Sequence, residues 1–199
     1  ATRILHKVAL DAGAESSVIF LKDCDTNHFR KITDNEEKLF LSLLQDIQPD
    51  IISFTVLSPF TEFVSKLTNN VRKSLPNAII IWGGIHPTIS PETCTAADVI
   101  IQGEGEKVIG EIIESVQKGL PLQKNYGYSE IEDIEKVPSP VYGDKSFFFI
   151  DNDSISQNDP LLQSPNYGVF TGRGCPFRCS FCVNSIIHKK VRIKKVPSV

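Results

Sequence analysis

The sequence predicts an α/β protein built on an open, doubly wound parallel sheet with helices on both faces. Three observations carry this. The runs IISFTVL (51–57), AIIIW (78–82) and DVIIQ (98–102) are short, β-branched and apolar without polar alternation, the pattern of strands buried on both faces. Stretches of helical period separate them, and the connections are short. The composition agrees: 199 residues, 41% hydrophobic, 23% charged, with 12 Gly and 12 Pro, is that of a globular chain of one or two domains.

Taken in order, Ile4, Leu5, Val8 and Ala9 suit a helix and SSVIFL (16–21) a strand. A sheet of this kind normally opens on a strand, whereas this sequence opens inside a helix and contains no methionine. The expectation is that residue 1 is not the natural start and that one strand is missing. Asp34 followed by Glu37 reads as a capping box, and Leu39, Phe40, Leu43, Leu44 and Ile47 then give a helix over about 35–48. Ser58 and Pro59 read as the N-cap and first residue of the next helix, whose stripe is Phe60, Phe63, Val64, Leu67 and Val71. Val108, Ile109, Ile112, Ile113 and Val116 mark a further helix, closed by Gly119. The first domain is expected over 1–118.

Residues 119–165, rich in prolines and acids and poor in periodicity, read as a linker, with a second unit over 166–199. There Tyr167 to Thr171 suits a short strand that ends in a Gly-Arg-Gly turn directly before Cys175. Net charge is −3, but the last acid is Asp159, and seven basic residues follow it. Without interleaved aromatics that basic tail reads as a solvated face, and no nucleic-acid partner is expected. No stretch approaches the roughly 18–20 apolar residues of a membrane span, and ATRILHK is not a signal peptide, so a cytoplasmic protein is expected. Five cysteines, three of them clustered, do not suit a secreted disulfide framework.

In open parallel sheets ligands lie beyond the carboxyl ends of the strands. Here those ends read TVLSPF, WGGIHPT and QGEGE, and Gly83, Gly84, Gly103 and Gly105 allow either close backbone approach to a ligand or tight turns. Thr55-Val56-Leu57, followed after the 25 residues 58–82 by Gly83-Gly84, resembles the Ser-x-Leu and Gly-Gly elements of the cobalamin-binding motif. With QGEGE the likeness covers 1 to about 118 and resembles the Rossmann-like cobalamin-binding domain that precedes many radical S-adenosylmethionine (SAM) enzymes. That resemblance implies cobalamin contacts at Thr55, Val56, Leu57, Gly83, Gly84, His86, Gly103 and Gly105, with Gly84 the most sensitive to an added side chain. His86 is expected beside the nucleotide tail, or fixing a turn, rather than on cobalt. The motif's first element, which carries the cobalt-ligating histidine, would fall just before residue 1.

RGCPFRCSFC brings Cys175, Cys179 and Cys182 within eight residues. Three thiolates can converge on one inorganic centre. Structural zinc wants four ligands, and no second pair exists here; a 4Fe-4S cluster on three cysteines leaves one iron open. A zinc site with a distant ligand and three unrelated core cysteines are the competing readings. The CxxxCxxC spacing, with Phe181 before the third cysteine, resembles the radical SAM signature. The resemblance implies that these cysteines ligate the cluster, that SAM chelates the open iron and that backbone around Phe181 lines its adenine. The residues after 165 would then begin a (β/α) barrel. It further implies a cobalamin-dependent methyltransferase with a small-molecule substrate and an electron donor such as flavodoxin or ferredoxin. A cobalamin-carrying fragment, a cyclase and a methylthiotransferase are the alternatives. Cys24 and Cys94 read as packed small hydrophobes, and as too few for the second cluster of a methylthiotransferase.

Overall fold

A computed structural model describes residues 1–22, 31–163, 170–188 and 190–195. Its elements run α1 (Thr2–Asp11), β1 (Val18–Leu21), α2 (Asp34–Ile47), β2 (Ile51–Thr55), α3 (Thr61–Ser74), β3 (Ile79–Gly83), α4 (Ile85–Ile89), β4 (Val99–Gly103) and α5 (Glu106–Gln117). Next come β5 (Asn125–Ser129), β6 (Phe147–Asp151), β7 (Ser154–Ser156), β8 (Gly172–Arg173), α6 (Asn184–Ile187) and β9 (Arg192–Ile193).

Strands β2-β3-β4-β5 form one all-parallel sheet in that order. The centre of that sheet is β3, where Ile80, Ile81 and Trp82 have no exposed surface. Its residues alternate between two cores. Ile80 and Trp82 pack with Phe40, Leu44, Val64 and Leu67 of α2 and α3, while Ile81 packs with Ile109, Ile112 and Leu5 of α5 and α1. Helices thus cover both faces, as the unbroken apolar runs require. Each such side chain is worth about 1.5–3 kcal/mol on burial. Trp82 keeps its indole N–H satisfied by donating to Thr68 Oγ1 at 3.1 Å.

Several boundaries differ from the expectation. The capping box sits one residue earlier: Thr33 accepts from Glu36 N, and Glu36 accepts from Thr33 N. Both pairs have the right spacing, and tertiary contacts choose between them, because the buried Glu36 also receives Lys22 Nζ at 2.7 Å. Ser58 to Phe60 form a separate 3₁₀ turn, so α3 starts at Thr61 without a side-chain cap.

The stretch 119–165, expected as a linker, contains β5, which extends the parallel sheet, and β6, which pairs parallel with β1 in a second sheet completed by antiparallel β7. Strand β5 has no apolar face to signal it, and β6 is a continuous apolar run, FFFID, set among prolines and acids. In 166–199 the expected strand from Tyr167 lies mostly outside the described residues; the described part has the antiparallel β8–β9 pair and one short helix, and no closed barrel. Cys24 lies outside the described residues, while Cys94 is buried, as expected of a packed hydrophobe.

A buried ion pair ties α1 to this late segment. Arg3 meets Asp159 bidentately at 2.5 and 2.6 Å, and the carboxylate also accepts the Gly143 and Leu161 N–H groups. Arg3 also lies over the rings of Phe20, Tyr142 and Phe147. Asp159→Asn would leave the guanidinium buried without its counter-charge, a loss expected to cost about 3–5 kcal/mol. Urea unfolding followed by Trp82 fluorescence measures this, with a markedly lower midpoint expected for the variant.

Candidate functional site: the carboxyl end of the sheet

The loops after β2, β3 and β4 meet at one end of the parallel sheet and brace one another. Val56 N donates to Gly83 O at 2.8 Å, and His86 N donates to Val56 O at 3.1 Å. The Thr88 hydroxyl donates to Gly84 O at 2.7 Å and accepts Gly103 N at 2.8 Å, which couples the second loop to the third. Glu104 N donates to Ser129 O at 2.8 Å. The result is a cradle whose backbone is braced by its own hydrogen bonds.

Two glycines are required by this cradle itself. Gly84 has φ 102°, and a Cβ there would stand 3.1 Å from Val56 O and 3.2 Å from Val56 N. Gly103 has φ 76°, and its Cβ would stand 2.2 Å from Ser129 O. Their lack of a side chain serves the close approach of chain to chain. At Gly83 and Gly105 an added Cβ would meet only ordinary contacts at 3.6 Å or more.

Of the other residues expected here, Val56 is fully buried beneath the loops. Thr55 is exposed, and Leu57 and Ile85 are exposed large apolar side chains beside it, a surface suited to a flat ring. His86 is buried, with Nδ1 3.1 Å from Ser58 Oγ and Nε2 2.9 Å from Thr93 Oγ1. The Thr93 hydroxyl donates to Ser90 O, so His86 Nε2–H donates to Thr93. Both ring nitrogens therefore serve the turn.

The cysteine loop is held over this end by charge. Glu104 and Arg192 form a bidentate pair at 2.8 Å, both side chains 8% exposed. Arg173, two residues before Cys175, approaches Glu104 at 3.2 Å and pairs with Glu106; Arg192 also reaches Glu130 at 3.0 Å. Burial pushes Glu104 up, but Arg192, the Ile131 N–H and Arg173 outweigh it and hold the carboxyl below its ordinary value. Tyr128 OH donates to Ile187 O and Lys194 Nζ to Val137 O. The basic tail, expected as a solvated face, thus commits Arg173 and Arg192 to the acidic body. Sequence reading missed these pairs and Thr88; the separation of acidic body from basic tail was the signal for the pairs.

On that loop Cys175 and Cys182 are half-buried, Cys179 is exposed, and all three are free thiols. The Cys182 N–H donates to Cys179 O at 3.0 Å in a tight turn. Phe181 is 90% exposed and Phe177 69%. Among the described residues no three His, Cys, Asp or Glu side chains converge on a metal-sized centre as placed. The donor set nevertheless fits an iron–sulfur cluster: three thiols, no disulfide, no acid within the loop, and none locked in the core. For cobalamin the fit rests on the preset cradle and the exposed Leu57 and Ile85.

The sequence profile described as the B12 binding domain matches residues 3–113. An uncharacterized methyltransferase of Pyrococcus horikoshii is 26% identical, with 72% of this chain and 33% of the relative aligned. An anaerobic magnesium-protoporphyrin IX monomethyl ester cyclase of Cereibacter sphaeroides is 29% identical, over 70% of this chain and 25% of the relative. A bacteriochlorophyllide d C-8(2)-methyltransferase of Chlorobaculum tepidum is 25% identical, over 52% and 22%. The chain therefore spans a third or less of the length of these relatives.

Gly84→Ala is expected to destabilise by about 1–3 kcal/mol in the absence of any ligand, and Gly83→Ala by less than about 1 kcal/mol. Denaturant unfolding of the two variants checks the order. Because the Glu104 carboxyl is depressed on folding, its contribution is present above the ordinary glutamate value of about 4.3 and is lost as pH falls below that through the folded value. Protection factors across β8–β9, taken relative to the intrinsic exchange rate at each pH, are therefore expected to fall on acidification. In Glu104→Gln protection should already be low at neutral pH and change little with acid.

Proposed function

The chain belongs to the B12-binding domain family, and from that premise we propose that it is the cofactor-carrying part of a cobalamin-dependent radical SAM enzyme, a methyltransferase acting on a small molecule. The observation that supports this most is the ion-paired attachment of the CxxxCxxC loop to the carboxyl end of the B12-binding sheet, through Glu104, Arg173 and Arg192. In that reading Cys175, Cys179 and Cys182 hold a 4Fe-4S cluster, and Thr55, Leu57, Ile85 and the braced glycine loops form the bed of the corrin. When bound, the cluster supplies an electron to S-adenosylmethionine and the corrin carries the methyl group.

The chain's own residues prepare the geometry. Thr88 and His86 hold the loops through contacts within the chain itself, which lowers the ordering cost of binding. Glu104 bridges two arginines that would otherwise repel each other, with Glu106 and Glu130 supplying the remaining counter-charge, and so keeps the cysteine loop against the cobalamin end of the sheet. Phe181 places its peptide group beside the third thiol, where adenine is expected. An external electron donor and the rest of a barrel complete the site. Relatives named as methyltransferases favour methyl transfer, and the relative named as a cyclase supports cyclisation as the second reading.

Two measurements on the whole protein test this. Anaerobic reconstitution is expected to give one 4Fe-4S cluster by iron and sulfide analysis, lost in Cys179→Ala; a full cluster in that variant refutes the ligand assignment. Hydroxocobalamin is expected to give a saturable visible-absorption change in both proteins, since Cys179 lies outside the corrin bed. No saturable change in the unmodified protein refutes cobalamin binding independently of the cluster.

A further inference from the structure

The last two cysteines of the loop share one turn. The Cys182 N–H donates to Cys179 O at 3.0 Å, which closes a β-turn over Cys179-Ser180-Phe181-Cys182. The first and fourth Cα atoms of such a turn lie less than about 7 Å apart, and a disulfide spans about 4.4–6.8 Å. The backbone therefore holds Cys179 and Cys182 within bridging distance. Both are free thiols, the first exposed and the second half-buried. The Ser185 N–H and hydroxyl both donate to Cys182 O, at 3.2 and 2.7 Å, which fixes the end of the turn to the start of α6.

The other described cysteines do not compete for this pairing. Cys175 lies outside the turn, two residues after Arg173, whose pairing with Glu104 and Glu106 anchors that side of the loop. Cys94 is buried, its thiol donates to Ser90 O at 3.6 Å, and burial pushes its pKa up, so it stays unreactive. The charge of the loop selects the reagent. Arg178, directly before Cys179, is exposed, and residues 170–188 contain no acid. The turn thus offers positive charge to an anionic small-molecule disulfide such as glutathione disulfide.

We propose that Cys179 and Cys182 form a reversible redox modification site, closing to a disulfide by exchange with a low-molecular-weight disulfide before a cluster is loaded. The Cys179 sulfur, as thiolate, attacks one sulfur of the reagent RSSR and gives a mixed disulfide; the expelled RS⁻ takes up the proton released from Cys179. The Cys182 sulfur then attacks the Cys179 sulfur and closes the bridge, and the second RS⁻ takes up the proton of Cys182. Two protein thiols are oxidised and one RSSR is reduced to two RSH. The bridge keeps an exposed sulfur off the irreversible path to sulfinic and sulfonic acids, and a dithiol reductant reopens it. One consequence rests on the ligand assignment proposed above: oxidation removes two of the three cluster ligands at once, so the closed loop refuses a cluster until it is reduced.

Peptide mapping by mass spectrometry on the whole protein tests the pair. With iron removed by a chelator under anaerobic conditions, the protein is equilibrated with excess glutathione disulfide, quenched in acid and alkylated. The expected product is a Cys179–Cys182 link in most molecules, reversed by dithiothreitol, with Cys94 and Cys175 alkylated. The link is expected to persist in Cys175→Ala, and Cys182→Ala to stop at a glutathione adduct on Cys179. A dominant link through Cys175, a glutathione adduct that persists on Cys179 in the unmodified protein, or both thiols still free under that excess overturns the proposal. Cluster transfer from a preloaded iron–sulfur scaffold protein, without added thiol, tests the consequence. The oxidised protein is expected to take up at least about tenfold less cluster than the reduced one, and equal uptake overturns the gating. Full uptake by reduced Cys179→Ala instead refutes the ligand assignment and leaves the mapped disulfide standing.

Discussion

The pairing of Glu104 with Arg192 and Arg173 is the contact on which the functional geometry depends. The parallel sheet fixes where three loops emerge, but nothing in the sheet itself dictates where a cysteine loop some seventy residues further along will lie. Glu104 does this from the first position after β4, taking a bidentate guanidinium from one side of the cysteine loop and a second guanidinium from the other. Low exposure makes the arrangement costly to break, because either partner alone would be left charged in a poorly solvated place.

The cradle beneath it is built on a different principle. Gly84 and Gly103 are glycines because backbone passes backbone there, and Thr88 stitches two loops together with one hydroxyl that donates to Gly84 O and accepts from Gly103 N. A site braced in this way meets a large planar ligand already shaped. The glycines of a ligand-binding motif can thus be fixed by the fold's own close approaches, with the ligand using the shape that results.

Much of the architecture was legible in the sequence because burial on two faces writes continuous apolar runs. AIIIW could hardly be anything but a central strand, and the stripe in α5 gave its register directly. The capping box was displaced by one residue because Thr33/Glu36 and Asp34/Glu37 have the same spacing, and only the salt bridge from Lys22 distinguishes them. Strands β5 and β6 were hidden because one is polar and the other sits in a stretch that otherwise has loop composition. The resemblance to cobalamin-binding and radical SAM motifs located the loops and cysteines. The split between acidic body and basic tail signalled that ion pairs join them, but the partners could not be read because they lie far apart in the sequence.

In the proposed function Glu104 holds an iron–sulfur loop against a cobalamin-bearing sheet. Electron paramagnetic resonance on the whole protein, carrying both cob(II)alamin and the reduced cluster, tests this most directly. The account expects a magnetic interaction between the two centres that broadens or splits both signals in the unmodified protein and weakens in Glu104→Gln. Two independent, unperturbed signals in the unmodified protein, with both centres fully occupied, would contradict it.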